Sequence, residues 1–418
     1  MQQVKYRLLR KGLSRFSKKR LKYYLDFVFF SIGFAISTGL ALLITILINK
    51  NLSPKELGTY SYNKSALEFM AVLFTLTIHR SYLRFNTKGL SIVLKRFVDK
   101  LITGSVVLLA IAAYYLTESL LPCLFAFFVL FEERQFLTRS LMRLRDLNYL
   151  KIGAAFITFA LLGFFVYTDS LTDDRALFAY GVGFLLAFGF NAKSSKKIDD
   201  RKTLFIKTIL IFSLPALGGT LVKLSFDFAG QFFLKFYFDF EEVAKYAIGL
   251  RVLLGVKLFS GLLMMFYPMV YYREMEKKNG SGIAKMRWAI VGIMTFVCIL
   301  GYIFADELYM LMGASQYLEY SYVLKILIVS EYFFLIGNIL ATFLAFSLKT
   351  YISLLVVLVG GLINIVIVMI FMKEGGINVA AYAVLISNFI MMIAYILVSY
   401  RKERAYLRSP GDLESFNK

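Results

Sequence analysis

Apolar runs of 15 to 27 residues recur along the whole 418-residue chain, separated by short polar segments. Because an α-helix rises 1.5 Å per residue, about 20 apolar residues cross the roughly 30 Å hydrocarbon layer of a bilayer. Hydrophobic residues make up 59% of the chain and charged residues only 18%, a balance beyond that of soluble domains. The sequence therefore predicts an all-α, polytopic membrane protein.

Twelve such runs can be delimited along the chain. They occupy residues 27–48, 62–85, 101–117, 119–136, 150–167, 176–190, 204–224, 246–271, 288–305, 320–346, 352–372 and 379–398. The third, fourth and sixth are short or closely spaced, so hydropathy alone also allows eleven or thirteen spans. No small-residue cleavage site follows the first run, which indicates a retained span and not a signal peptide.

Lysine and arginine alternate between the two sides of the predicted membrane. With the N-terminus inside, 37 of the 48 basic residues fall on the cytoplasmic side and seven outside, when residues at a span edge are counted with the adjoining loop. Cytoplasmic loops carry the excess of Lys and Arg in membrane proteins. The net charge of +21 therefore reflects topology, with both termini cytoplasmic, and gives no support to nucleic acid as a partner.

The longest polar interruption separates six predicted spans from six. We predict a basic amphipathic segment at 1–26, a six-helix bundle at 27–190, a cytoplasmic linker at 191–203, a second six-helix bundle at 204–398 and a basic cytoplasmic tail at 399–418. Because six is even, both bundles cross the membrane in the same direction. A repeat between them then implies a pseudo-two-fold axis along the membrane normal, with a central cavity.

One short motif supplies such a repeat. LSPKELGTYSYNKS (52–65) and FDFEEVAKYAIGLR (238–251) align at an offset of 186 residues, and each lies between the first and second spans of its half. The aligned pairs are Glu56 with Glu242, Leu57 with Val243, Gly58 with Ala244, and Tyr60 with Tyr246. In both copies we predict a short polar loop that leads into an apolar helix.

Charged side chains within the predicted spans indicate a polar cavity, since such residues persist in a membrane only where they face protein or water. Arg251 and Lys257 lie about 8 Å and 16 Å along the eighth span from its outer end. In the tenth span, Glu331 falls at a depth similar to that of Lys257, and Asn338 shares its helical face. Lys257 and Glu331 are therefore predicted either to line a cavity or to form a buried pair.

Two further charged residues lie nearer to a membrane surface. Lys325 is close to the outer end of the tenth span, and Glu68 is a third of the way into the second. For both, and for Arg251, cavity lining and interface anchoring stay open. Arg251 and Lys257 are six residues apart, about 120° around a helix, so they are not expected to point into one narrow pore. Cys123 and Cys298 lie within apolar runs, so neither a disulfide nor a metal site is predicted.

Five stretches, in their order and spacing, resemble the polysaccharide-transporter branch of the multidrug/oligosaccharidyl-lipid/polysaccharide exporter superfamily, which is related to multidrug MATE exporters and the lipid II flippase. They are LSPKELGTY, EEVAKYAIGLR, MMFYPMVYY with Pro268, MGASQYLEYSYVLKIL and GGINVAAYAVLIS. The resemblance covers nearly the whole chain. One departure is Ala244, where such loops usually carry glycine.

The resemblance implies a flippase that carries an undecaprenyl-diphosphate-linked oligosaccharide across the bacterial inner membrane by alternating access, for O-antigen, capsule or exopolysaccharide biosynthesis. Its implied partners are this lipid-linked cargo, membrane lipids, a polysaccharide polymerase and chain-length machinery. Since the cargo is anionic, we expect the binding cavity to be lined by Arg251, Lys257, Lys325 and Asn338. No enzymatic activity and no cofactor are expected, and Glu331 or Glu68 are the carboxylates through which a proton or sodium gradient would be coupled.

Two other functions stay open. A cation-coupled multidrug exporter of the same superfamily predicts an acidic, aromatic cavity, whereas basic residues outnumber acidic ones within these spans. A membrane glycan polymerase or ligase acting on the same lipid-linked sugar needs catalytic groups outside the membrane, and the predicted outer loops are short and poor in them. No Walker-type phosphate loop occurs in the sequence, which argues against ATP as the energy source.

Overall fold

The structure is a computed structural model, which describes residues 29, 32–82, 92–140, 143–189, 206–347 and 349–408. Nearly all of these residues are helical, and none of them lies in a strand. The predicted amphipathic segment at 1–26 and the linker at 191–203 lie outside the described residues.

The first half of the chain forms the helices of the first bundle. Their bounds are α1 Ile32–Asn51, α2 Pro54–Thr75, α3 Ile92–Thr117, α4 Phe128–Ser140, α5 Leu144–Tyr167 and α6 Asp173–Leu185. Short 3₁₀ turns at Ile78–Arg80, Leu121–Phe127 and Leu186–Gly189 extend α2, α4 and α6. These helices account for the first six predicted spans.

The second half forms the helices of the second bundle. Their bounds are α7 Ile206–Tyr237, α8 Phe240–Val252, α9 Leu254–Glu276, α10 Gly280–Ile303, α11 Ala305–Leu311, α12 Ser321–Phe346, α13 Thr350–Tyr395 and α14 Arg401–Arg408. The eighth span combines α8 and α9. The 46-residue α13 supplies the last two spans, because Gly376 breaks it with φ 53° and ψ −134°, a conformation that only glycine adopts readily.

The described helices therefore form the predicted all-α membrane fold of twelve spans. Six helical segments are each long and apolar enough to cross a membrane alone. These segments differ in burial. Of the apolar stretch in the segment that contains α12, 56% is buried inside the protein, whereas only 17% of the apolar stretch in α10 is buried. Thus α12 is central to the second bundle, whereas α10 faces lipid. Helices α2 and α8 pack against the other bundle, and some of their charged residues, among them Lys64, Glu68 and Arg251, lie at that interface.

Several predicted boundaries differ clearly from the structure. The second, third and ninth spans begin at Pro54, Ile92 and Gly280 instead of residues 62, 101 and 288. The seventh continues to Tyr237, beyond the predicted end at 224. Hydropathy detects only the apolar part of a helix, whereas polar first and last turns are also helical when their backbone groups are capped. The predicted polar loops at 52–60 and 238–245 are likewise mostly helix.

The repeat is visible in the helix starts. Ser53 caps α2 by accepting a hydrogen bond from the backbone of Glu56, and Asp239 caps α8 by accepting one from the backbone of Glu242. These caps are 186 residues apart, the same offset as in the sequence. We call the end of the bundles that carries both caps the capped end, and the opposite end, where the basic residues concentrate, the basic end.

The two copies of the repeat pack against each other. Helix α2 of the first bundle contacts α7 and α8 of the second bundle. At Gly58 the contact is so close that a Cβ atom would overlap the carbonyl oxygen of Phe240. Nearby, the Tyr62 ring lies 6.0 Å from the Phe240 ring and carries the Lys235 ammonium over its face at 4.6 Å. The bundles are therefore joined at the capped end.

The C-terminal helix docks on the second bundle at the basic end. Arg287 of α10 donates two hydrogen bonds to the carboxylate of Glu403 in α14, at 3.0 and 2.9 Å. The Glu403 side chain is only 4% exposed. Tyr406, one turn further along α14, packs on Phe346 at the end of α12. The predicted basic tail thus begins as a docked helix.

Candidate functional site

A polar cavity formed by described residues lies within the second bundle. This cavity has a volume of about 410 Å³, and we call it the C-half cavity. Its polar lining comes from α9, α12 and the last span, namely Lys257, Ser260, Ser330, Glu331, Asn338 and Asn388. Phe226 and Phe334 are among the apolar residues that complete its wall. This volume falls within the range of small-molecule sites.

The second cavity lies between the bundles, where α2 faces α7, α8 and α9. This interface cavity has a volume of about 140 Å³. Its polar lining residues are Ser61, Lys64, Ser65, Glu68, Gln231, Arg251 and Lys257. Leu250 and Lys257 line both cavities, so the two spaces adjoin at Lys257. The Ser65 hydroxyl and the Gln231 amide, 3.0 Å apart, link the bundles across this cavity.

Positive charge dominates the interface cavity. Lys64, Arg251 and Lys257 supply three cationic groups, and Glu68 supplies the one carboxylate in the lining. Lys64 lies 3.8 Å from Glu68 and 4.8 Å from the centre of the Tyr180 ring. Even with Lys64 and Glu68 paired, the lining keeps an excess of two positive charges. That excess favours an anionic ligand.

Arg251 lines the interface cavity and connects the two bundles. Its guanidinium donates one hydrogen bond to Asn49 Oδ1 at 2.8 Å and another to Ser61 Oγ. It also lies over the Tyr60 ring at 4.8 Å. Asn49 in turn donates to the carbonyl oxygen of Met312 at 3.0 Å. Asn49 of the first bundle therefore accepts a hydrogen bond from Arg251 and donates one to Met312, and both partners belong to the second bundle.

Hydrogen bonds also order the polar side chains of the C-half cavity. Ser260 Oγ donates to Glu331 Oε1 at 2.7 Å, which links α9 to α12. Asn388 Nδ2 donates to Ser330 Oγ at 2.8 Å, which links the last span to α12. Asn388 Oδ1 is buried and has no hydrogen-bond partner among the described residues.

Five of the six predicted site residues line these cavities. Arg251, Lys257 and Glu68 line the interface cavity, and Lys257, Glu331 and Asn338 line the C-half cavity. The two carboxylates proposed for ion coupling therefore lie in different cavities. Within the part of the chain that the structure describes, no group of three or more His, Cys, Asp or Glu side chains forms a metal site.

Lys325 lies elsewhere. Its ammonium is 3.9 Å from Asp306 Oδ1 and 5.9 Å from the centre of the Tyr302 ring, and it lines neither cavity. It contacts α10 and α11 near the start of α12. The structure thus places Lys325 beside an acidic residue at the end of its span and apart from the other basic residues of the predicted site.

Because α2 and α8 begin earlier than predicted, the site residues lie further along their helices than expected. Counted from the first residue of α8, Arg251 and Lys257 lie about 16 Å and 26 Å along the span, deeper than the 8 and 16 Å expected. Glu68 lies about 21 Å along α2, two thirds of its length. Arg251 and Lys257 also line one cavity despite their separation around the helix, because that cavity is a cleft between bundles and not a narrow pore.

Several functional candidates were missed by sequence reasoning. Lys64 lies one helical turn before Glu68 on the same face of α2, a spacing that would have identified it once the helix was known to begin at Pro54. Gln231 lies beyond the predicted end of the seventh span, at residue 224. Asn49 and Asn388 are uncharged amides, so a search for intramembrane charge does not find them.

Comparison with known proteins identifies the fold. No family model and no curated protein matches the chain. Among solved structures, the lipid II flippase MurJ in an inward closed conformation gives a TM-score of 0.69 at 14% identity, covering 93% of this chain and 95% of the flippase. A multidrug resistance MATE family transporter in an inward-facing conformation also gives 0.69 at 14% identity, covering 90% and 96%.

Two further solved structures are similar with lower TM-scores. A MATE family transporter in an outward-facing conformation gives a lower TM-score of 0.60, at 14% identity and with 92% and 96% of the two chains covered. A superfamily transporter from Pyrococcus furiosus, described as having a binding pocket of reversed polarity, gives 0.63 at 13% identity, covering 92% and 96%. The chain is thus a multi-pass membrane protein with the fold of the multidrug/oligosaccharidyl-lipid/polysaccharide exporter superfamily.

Proposed function

We propose that this protein is a flippase for undecaprenyl-diphosphate-linked oligosaccharides. It moves them from the cytoplasmic to the outer face of the bacterial inner membrane, where they are used for O-antigen, capsule or exopolysaccharide synthesis. The anionic diphosphate binds in the interface cavity, and the prenyl chain stays in lipid. The two bundles alternate between conformations that open this cavity to one side and then to the other.

One observation carries this proposal: the interface cavity is lined by Lys64, Arg251 and Lys257 against the carboxylate of Glu68. An ammonium or guanidinium group deep in a membrane is costly unless water or an anion compensates it. Diphosphate oxygens accept strong, charge-assisted hydrogen bonds from such groups. The shared fold with a lipid II flippase supports lipid-linked cargo over a soluble one.

The direction of opening follows from the capped end. Contacts of Gly58, Tyr62 and Arg251 join the bundles there, and the chain is more similar to an inward-facing transporter than to an outward-facing one. We therefore assign the capped end to the outer face and the basic end to the cytoplasm. The excess of Lys and Arg at the basic end supports the same orientation.

Translocation in liposomes tests the proposal. The purified chain is reconstituted with a fluorescent undecaprenyl-diphosphate saccharide, and the fraction of label accessible to a membrane-impermeant quencher is followed with time. We expect the Arg251→Ala, Lys257→Ala double variant to lose on the order of tenfold or more in rate, because each lost charge-assisted hydrogen bond weakens anion binding by roughly that factor. Lys325→Ala, outside both cavities, is the matched control.

Two results would contradict the proposal. The first is a wild-type chain that leaves the label distribution the same as in empty liposomes. The second is a double variant that moves the lipid as fast as the wild type and the Lys325→Ala control. Loss of rate in both the double variant and the Lys325→Ala control would instead mean that the basic residues act on general stability, so melting temperatures are measured in parallel.

A cation-coupled multidrug exporter is the second candidate, favoured by Glu331 next to Phe226 and Phe334 in the C-half cavity and by the fold shared with MATE transporters. The same liposomes distinguish it. An exporter would accumulate a hydrophobic cation such as ethidium when a proton or sodium gradient is imposed, and Glu331→Gln would abolish that uptake. A flippase would show no gradient-driven ethidium uptake.

A further inference from the structure

The C-half cavity presents groups suited to a ligand rich in hydroxyls. Its lining combines the Glu331 carboxylate, the amides of Asn338 and Asn388 and two serine hydroxyls with one ammonium, from Lys257. A sugar hydroxyl both donates and accepts hydrogen bonds, so it can pair with carboxylate, amide and ammonium groups alike. Phe226 and Phe334 in the same wall offer apolar faces for the ring carbons.

One buried acceptor atom of this cavity, Asn388 Oδ1, has no donor among the described residues. Asn388 is 6% exposed, and its amide nitrogen is occupied by Ser330, while Oδ1 has no partner among the described residues. Glu331 is 8% exposed and accepts one hydrogen bond from Ser260 through Oε1. A ligand donor can therefore pair with Asn388 Oδ1. A buried acceptor without a donor is costly, and a ligand donor would remove that cost.

Other ligand classes fit this lining less well. For a metal ion or an organic cation the lining has no excess of negative charge, because the Lys257 ammonium offsets the Glu331 carboxylate. A wholly apolar ligand would leave Asn388 Oδ1 without a partner in a site from which water had been expelled. A neutral polyhydroxyl ligand meets neither cost, because its hydroxyl groups adapt their donors and acceptors to each side chain.

The C-half cavity lies directly beside the interface cavity. Lys257 and Leu250 belong to both linings, so the C-half cavity adjoins the cation-rich interface cavity. Resting on the proposed function, we infer that the C-half cavity binds the sugar attached directly to the diphosphate. Asn388, Asn338 and Glu331 bind its hydroxyl groups and set the preference for that sugar, while the diphosphate lies across the boundary at Lys257.

Binding of two lipids to the full-length chain in detergent tests this inference. One is undecaprenyl diphosphate without sugar, and the other is the pool of lipid-linked saccharides extracted from cells that lack this gene. We expect the wild type to bind the saccharide-bearing lipids at least about five-fold more tightly, the effect of one additional net hydrogen bond. Asn388→Leu should reduce that ratio towards one and leave the dissociation constant for undecaprenyl diphosphate unchanged.

A second variant covers the case in which Asn388→Leu fails to fold after losing its bond to Ser330. Asn338→Leu, whose partly exposed side chain lines the same cavity, should reduce the ratio in the same way. Asn51→Leu, an exposed amide at the end of α1, is the control and should keep the wild-type ratio.

Three outcomes overturn the inference. Equal affinity of the wild type for the two lipids would show that no sugar subsite exists, while the proposed flippase function would stand. A wild-type ratio in both Asn388→Leu and Asn338→Leu would place the sugar elsewhere. Binding of neither lipid by a folded wild type would contradict the proposed function itself, and the inference with it.

Discussion

Gly58 is one of the residues through which the two copies of the repeat contact each other. A Cβ atom there would overlap the backbone carbonyl of Phe240, and backbone cannot move aside as a flexible side chain can. We expect Gly58→Ala to force α2 and α8 apart and to cost roughly 1 to 3 kcal/mol, as overpacked sites do. The measurement is the melting temperature of the purified chain in detergent.

Gly104 in α3 is the matched control for this substitution. No atom lies within 4 Å of the position that its Cβ would take. Gly104→Ala should therefore be neutral or slightly stabilising, since alanine restricts the unfolded chain without a clash. Equal melting temperatures for the two variants would show that the capped end is not packed as described.

Arg251 holds the capped end closed through the geometry of its guanidinium. Arg251→Lys keeps the charge, but a lysine ammonium does not reproduce the forked donors that reach Asn49 and Ser61 together. We expect the bundles to separate more often at the capped end. Cross-linking of a Ser65→Cys, Gln231→Cys pair across the interface cavity should fall several-fold in this variant, with Cys123 and Cys298 replaced by alanine throughout.

The control for Arg251→Lys is an arginine that bonds within one bundle only. Arg175 donates to the carbonyl oxygen of Ser170 in the first bundle. Arg175→Lys should leave cross-linking between the bundles at the wild-type level. If Arg251→Lys also cross-links as the wild type does, then Arg251 does not control closure at the capped end.

At the scale of helices, the docked α14 depends on one buried ion pair. Glu403→Ala would leave the guanidinium of Arg287, whose side chain is 17% exposed, without its carboxylate. Removing one partner of a buried pair typically costs about 3 to 5 kcal/mol. We expect a lower melting temperature and faster proteolytic removal of the C-terminal segment.

Lys402→Ala is the comparison for Glu403→Ala. Lys402 is the preceding residue in α14, and its side chain is exposed. Its removal should change neither the melting temperature nor the proteolysis rate appreciably. Similar behaviour of both variants would mean that α14 does not rely on Arg287 for docking.

The helix boundaries show what hydropathy misses at this scale. The local sequence indicates that α2 starts at Pro54. Ser53 is followed three residues later by Glu56, and this capping box needs no apolar residue. The equivalent start of α8 has Asp239 and Glu242 in the same spacing. Span positions were predictable from apolar runs, but these polar first turns were readable only from the capping pattern.

At the scale of the whole molecule, the twelve-span fold and a central cavity were predicted from the sequence, whereas the set of side chains that meet in each cavity was not. Intramembrane charge identified Lys257 and Glu331, because burial of a charge in lipid is costly wherever it occurs. It could not show that Lys325 pairs with Asp306, or that Asn388 lines the C-half cavity with Glu331. Those relations depend on how helices far apart in sequence are rotated against each other.

The contacts that join the bundles indicate which helices would have to move in the proposed transport cycle. Contacts at the capped end close the interface cavity there. In the proposed cycle, opening at the capped end requires α2 and α8 to separate and Arg251 to exchange Asn49 and Ser61 for other partners. An anionic group in the cavity would be one such partner.

The face of the membrane on which lipid-linked saccharides accumulate in cells lacking this gene tests the proposed function most directly. Spheroplasts of the deletion strain are treated with an impermeant reagent that cleaves or labels the saccharides exposed outside. We expect accumulation of saccharides that the reagent does not reach before the membrane is permeabilised. Accumulation of saccharides that it reaches in intact spheroplasts would contradict a flippase and indicate a polymerase or ligase.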